Sequence, residues 1–103
     1  LTSSPFSLTG RRAVVTGASR GIGAAIAVGL ARAGADVAGI HLGDPEGGAA
    51  TERAIQAAGR RTVIVEGDTG DPATVQSLAD TAVAELGGID IWVNNAARLM
   101  VKP

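Results

Sequence analysis

Thr16-Gly17-Ala18-Ser19-Arg20-Gly21-Ile22-Gly23 constrains this chain more than any other stretch. Before it, Ala13-Val14-Val15 has the β-branched content of a buried parallel strand; after it, Ile22, Ala25, Ile26, Gly29, Leu30 and Ala33 recur at helical spacing. The glycines therefore occupy a strand-to-helix turn. Such a turn gathers backbone N–H groups and the positive end of a helix at one point, a cradle for a pyrophosphate. Each glycine has a mechanical use in the pattern G-x-x-x-G-x-G. Gly17 permits the turn, Gly21 lets a ligand approach the backbone, and Gly23 lets the helix pack closely on the sheet.

The rest of the chain repeats the strand-helix unit. The first strand is predicted over Arg12 to Thr16, with its helix running to about Ala33 and stopping at Gly34. Val37 to Ile40 forms a second strand ending near His41. Asp44-Pro45 is an N-cap followed by proline at the first helical position, and opens a small-residue helix to Gly59 with the poor helix formers Gly47-Gly48 in its first turn. Thr62 to Val65 is a third strand. Asp71-Pro72 repeats the cap and begins the best-defined helix, with Val75, Leu78, Ala79, Ala82, Val83 and Leu86 on one face before Gly87-Gly88. Ile89 to Val93 is the fourth strand. The order β-α-β-α-β-α-β, with right-handed crossovers, predicts an α/β fold: a Rossmann-like, doubly wound parallel sheet, of which this is the first part. Strands one and four then flank the point where direction across the sheet reverses, and ligands bind there at the strands' C-terminal ends.

Composition narrows the functions open to such a fold. With 103 residues there is room for one domain, and with 46% hydrophobic but 2% aromatic residues its core is made of Ala, Val, Ile and Leu. A net charge of −1 with scattered basic residues gives no footprint for nucleic acid or an anionic membrane. The chain has no cysteine and one histidine, so neither a disulfide nor a zinc site is expected, and the cytoplasm is the expected compartment. No apolar run reaches bilayer-spanning length. Residues 1–9 read as a loose polar lead-in to a domain covering 10–103.

Thr16 to Gly23 after a strand, Val93-Asn94-Asn95-Ala96 after a later one, the opening Leu8-x-Gly10-Arg11-x-Ala13-Val14-Val15-Thr16-Gly17 and Asp68 after the third strand together resemble the N-terminal half of the short-chain dehydrogenase/reductase family. The resemblance runs from about Leu8 to the end. It implies an NAD(P) cofactor with its pyrophosphate over Gly17 to Gly23, the backbone of Ile22 beneath it, and Ser19 and Arg20 on phosphate or ribose. It further implies that Asp68 accepts from the adenine amino group, Thr69 lines the adenine, and Asn95, with Ala96 beside it, lies near the adenosine ribose. The residues by themselves leave plainer readings open. Asp68 can end a strand in a solvated turn, and Asn94-Asn95 can bond to nearby backbone. Ala97 stands where the family usually carries glycine.

Cofactor choice turns on the end of strand two, where a carboxylate would bond a 2′-hydroxyl and repel a 2′-phosphate. His41 and Leu42 stand there, with Arg20 as a candidate phosphate partner, so NADP(H) is favoured over NAD(H), with Asp44 near enough to oppose it. His41 is expected to be a partly exposed loop residue, touching the adenosine half or lying on the surface. Trp92 reads as a core or subunit contact, and the pairs Arg11-Arg12 and Arg60-Arg61 as solvated charges where strands begin.

By the resemblance, the protein transfers a hydride between nicotinamide and a small alcohol or ketone, with tyrosine, lysine and serine exchanging the proton and holding the substrate oxygen. This chain has no tyrosine, and Lys102 is its only lysine. The catalytic residues are therefore expected beyond residue 103, in a longer protein that forms a homodimer or homotetramer. A non-catalytic nucleotide-binding or interaction module is the alternative. A methyltransferase is disfavoured, because strand two lacks an acidic ribose partner.

Overall fold

The computed structural model describes residues 6–95. The elements are β1 (Arg12–Thr16), α1 (Gly21–Arg32), β2 (Asp36–His41), α2 (Pro45–Ala57), β3 (Thr62–Glu66), α3 (Pro72–Leu86) and β4 (Ile91–Val93). All pairings are parallel, in the order β3-β2-β1-β4. The reversal falls between β1 and β4, as the strand-helix repeat predicts.

Alternation along the two inner strands divides the core. One face carries Val15 and Val37 and is covered by α1 and α2 through Ala27, Ala31 and Ile55. The other carries Val14, Ala38 and Ile40 and is covered by α3 through Leu78, Ala82 and Leu86. Both inner strands are hydrophobic at successive positions because both of their faces are buried. Alanines at the α1 contact bring that helix close to the sheet.

Local chemistry ends each helix where the sequence indicates. Asp44 caps α2, its Oδ1 accepting from Gly47 N at 3.2 Å, and Asp71 caps α3, accepting from Ala73 N at 3.0 Å. Proline follows each cap. Gly87, at φ +92°, closes α3 in the left-handed region and donates its N–H to the Val83 carbonyl at 2.9 Å. Leu8, near the start of the described residues, donates its N–H to the Ala33 carbonyl at 2.7 Å and packs on the α1 and α2 side of the core.

Three expectations need correction. β4 begins at Ile91 rather than Ile89, because the Asp90 N–H donates to the Arg12 carbonyl while its carboxylate accepts from Arg12 N and Nε, both at 2.9 Å. Asp90 is thus a clasp at the foot of the strand. Arg12, Arg60 and Arg61 are correspondingly not just solvated charges. Asp36 accepts from Arg61 N at 2.9 Å and from Arg60 Nε at 3.1 Å, and Arg61 also reaches the Leu86 carbonyl. Finally, Trp92 is not in the core. It stands on the edge strand, 39% exposed, and lines a groove of about 560 Å³ with Pro72, Val75, Gln76 and Ala79 of α3.

Candidate cofactor site

At the C-terminal edge of the sheet, four chain segments meet around a groove of about 320 Å³. The turn after β1 contributes Gly17, Ser19 and Arg20; the end of β2 contributes Ile40, His41 and Leu42; the turn after β3 contributes Gly67, Asp68 and Thr69; and Asn95 arrives from the end of β4. Seven of the residues singled out in the sequence therefore line one cavity. Ala96 lies outside the described residues, as does Ala97.

The glycine turn is built as its sequence requires, with one difference. Gly17 and Gly21 have φ of +66° and +57°, which side-chain-bearing residues rarely adopt. A methyl group on Gly21 would meet no atom within 4 Å, so that glycine faces open space. Gly23 is closed in instead. A methyl there would overlap the Gly17 carbonyl and stand 2.5 Å from Asn95 Nδ2. Gly23 thus packs the helix against its own entry turn and against Asn95, rather than against the sheet. Unlike α2 and α3, α1 begins without a capping side chain, and its first turn carries no acidic residue. Its N–H groups and partial positive charge meet no carboxylate there. Ile22, in that first turn, has a side chain 73% exposed.

A hydrogen-bonded joint connects β4 to the turn. The Thr16 hydroxyl donates to Asn94 Oδ1 at 3.0 Å and accepts from Asn95 N at 2.9 Å, and Asn95 Nδ2 reaches the Gly17 carbonyl at 3.4 Å. The local bonding that the asparagines permit is thus present, and it holds Asn95 at the cavity wall. Asp68 is exposed, and its Oδ1 accepts from Gly70 N at 2.8 Å, an Asx turn that holds the carboxylate at the rim.

His41 differs from expectation. It is the last residue of β2 and only 9% exposed, neither a loop nor a surface residue. Its Nδ1 accepts from Asp44 N at 3.2 Å, so the neutral ring carries its proton on Nε2. Glu66, its partner across the β2–β3 register, accepts from Gly43 N at 3.2 Å and stands 3.9 Å from His41 Nδ1. The imidazole lies under the first turn of α2, where a methyl on Gly48 would come 2.8 Å from its Cδ2. That contact accounts for the glycine pair in a helical first turn. Gly47 leaves room for the Ser19 carbonyl and the Asp44 carboxylate, and Gly48 for His41.

Asp44 joins α2 to the phosphate turn. A hydrogen bond from the Ser19 side chain, the Gly47 N–H and the nearby Arg20 charge hold its carboxyl below the usual carboxylate range. Deeper in the same joint, the Thr51 hydroxyl donates to the Ala18 carbonyl at 2.7 Å. Sequence reading missed Leu42, Ile40 and Gly67 as lining residues. Leu42 stands next to a predicted one, and its place directly after the end of the second strand was the available signal.

Among the described residues no cluster of His, Asp or Glu could hold a metal ion, and no helix is long and apolar enough to cross a membrane. A cleft lined by the polar side chains of Ser19, Arg20, His41, Asp68, Thr69 and Asn95 with Ile40 and Leu42 between them, beside an uncapped helix N-terminus and glycines that expose backbone, fits a dinucleotide: a base for the cleft and a pyrophosphate for the turn.

Comparison with known proteins agrees. Residues 11–103 match the sequence profile of the family described as short chain dehydrogenase. The chain is 41% identical over 96 residues to 3beta-hydroxysteroid dehydrogenase 1 of Eggerthella lenta, covering 93% of this chain and 37% of that protein. It is 45% identical over 93 residues to 2-dehydro-3-deoxy-D-gluconate 5-dehydrogenase of Escherichia coli, covering 90% of this chain and 36% of that one. A short chain dehydrogenase from Burkholderia cenocepacia J2315, solved in complex with NADP, superposes with a TM-score of 0.87 at 45% identity, over 92% of this chain and 39% of that one. The chain thus spans little more than a third of the length of these relatives.

Proposed function

Because the chain belongs to the short-chain dehydrogenase family, we propose that it is the cofactor-holding part of an NAD(P)-dependent oxidoreductase acting on a small alcohol or ketone. The observation that carries this reading is the convergence of Gly17, Ser19, Arg20, His41, Asp68, Thr69 and Asn95, from four separate segments, on one groove. The turn from Gly17 to Gly23 would hold the pyrophosphate, with open space at Gly21 for its approach. Asp68 and Thr69 would hold the adenine, and Asn95, with Ala96, the ribose beside it. When bound, the nicotinamide would supply the hydride acceptor or donor. The chain's own residues bind and orient; proton exchange falls to groups beyond residue 103.

Within that reading NADP(H) is the favoured cofactor. β2 ends in His41 rather than a carboxylate, Arg20 lines the groove, and the Burkholderia relative was solved with NADP. The two similar dehydrogenases act on a steroid and a sugar acid by name, so the substrate is proposed only as a small alcohol or ketone. The same reading makes the whole protein a cytoplasmic homodimer or homotetramer. Titration of the full-length protein with NADPH and NADH by fluorescence tests it. Saturable binding with NADPH the tighter is expected, and a clear preference for NADH would overturn the cofactor choice.

A further inference from the structure

No residue of α2 lines the groove, yet one face of that helix holds the phosphate turn from behind. Gly47, Thr51 and Ile55 follow one another at a spacing of one helical turn and share that face. Ile55 packs with Ala18 and Val15 in the core. Thr51 is only 3% exposed, and its hydroxyl donates to the Ala18 carbonyl at 2.7 Å. One turn earlier, Gly47 leaves room for the Ser19 carbonyl, which a methyl group would overlap. Two successive carbonyls of the turn therefore point at α2. Their peptide bonds are trans, so the N–H groups of Ser19 and Arg20 lie on the opposite side of the same two planes. Both residues line the groove. The neighbouring peptide is tied differently, since the Ala18 N–H donates to the Ile40 carbonyl at 3.1 Å. β2 thus holds the peptide before Ala18, and Thr51 the peptide after it.

Resting on the cofactor reading above, we propose that Thr51 is a positioning residue for the dinucleotide: its hydroxyl keeps the Ala18 carbonyl turned toward α2, so that the turn offers a phosphate an N–H and not an oxygen. A carbonyl on the groove side would meet phosphate oxygens as acceptor against acceptor, with no proton between them. Without the Thr51 hydroxyl the Ala18 carbonyl is buried with no donor, and rotation of the Ala18–Ser19 peptide is the movement that relieves it. The turn serves both forms of the cofactor, so the effect falls on NADPH and NADH alike.

The test is Thr51→Val in the full-length protein, which keeps the branched shape and deletes the donor, with dissociation constants for NADPH and NADH measured by fluorescence. Both rise by roughly five- to tenfold, the equivalent of one ordinary hydrogen bond. Thr51→Ser restores the donor and returns both to within about twofold of wild type. Asp36→Ala, which loosens the opposite end of the sheet, serves as the control for a merely structural loss: it lowers the melting temperature and leaves both constants unchanged. Should the valine variant not fold, Thr51→Cys, whose thiol is a weak donor, gives the same readout. Wild-type affinity in folded Thr51→Val, or a serine variant as weak as the valine one, overturns the proposal and leaves Thr51 a packing residue. Failure of the wild type to bind either cofactor defeats the underlying reading, and is told apart because it precedes any variant.

Discussion

At the residue scale, the site depends on close approaches that single atoms would break. Gly23 lies against the Gly17 carbonyl and Asn95 Nδ2, so Gly23→Ala forces the turn or the β4 joint to move. We expect at least a tenfold loss of NADPH affinity with near-normal circular dichroism; unchanged affinity would show that the contact is dispensable. Asp36 offers a second test. Only 7% exposed, it takes hydrogen bonds from Arg60 and Arg61 that tie β2 to the start of β3. Asp36→Ala removes the charge-assisted bonds from Arg60 and Arg61, so unfolding free energy should fall by about 1.5–3 kcal/mol in urea titration. Much of the site was legible at this scale, because a glycine's turn geometry is a local property of the chain. The places of His41 and the arginines were not. His41 is buried by α2 folding back over it, and Arg12 meets Asp90 only after the sheet forms.

At the element scale, apolar runs, helical spacing and the Asp-Pro and glycine boundaries made every helix and strand readable, while close packing between elements set the details. Gly39, mid-strand in β2, illustrates this. A methyl there would come 2.7 Å from Ala18 Cβ and 3.0 Å from Ile64 Cδ1. Gly39→Ala should therefore destabilise by about 1–3 kcal/mol through overpacking, despite alanine's lower backbone entropy cost. A rise in melting temperature would show that the α1 turn yields easily. The Gly47-Gly48 pair has the same cause: propensity argues against a helix there, and contact with Ser19 and His41 demands it. β4 is two residues shorter than its apolar run because Asp90 is drawn to Arg12, a contact that nothing in Ile89-Asp90 announces.

At the scale of the whole molecule, charge clamps secure the end of the sheet opposite the groove. Arg12 lowers the Asp90 carboxyl below its ordinary value of 3.8 by hydrogen bonding and charge. Burial opposes ionisation of Asp36, but the Arg61 backbone N–H, Arg60 and the Arg61 side chain together bring it below 3.8 as well. Both carboxyls are depressed on folding, so their contribution is complete above the unfolded value near 4 and lost as pH falls through the lower folded values. Melting temperature should drop steeply below about pH 4, and less steeply in Asp36→Asn/Asp90→Asn; identical slopes would remove the clamps from the account. The doubly wound sheet itself followed from the strand-helix repeat and needed no tertiary information. What surrounds β4 did not, because the chain covers 36–37% of its curated relatives.

The central claim, that four strand ends build one dinucleotide groove, is tested most directly by calorimetric titration of NADPH into the full-length protein and into Asp68→Ala and Asn95→Ala variants. Asp68 and Asn95 come from the ends of β3 and β4 and share nothing but the groove. Binding of one NADPH per chain, weakened at least fivefold by each substitution, is the predicted result. Saturable binding that neither substitution alters would contradict it.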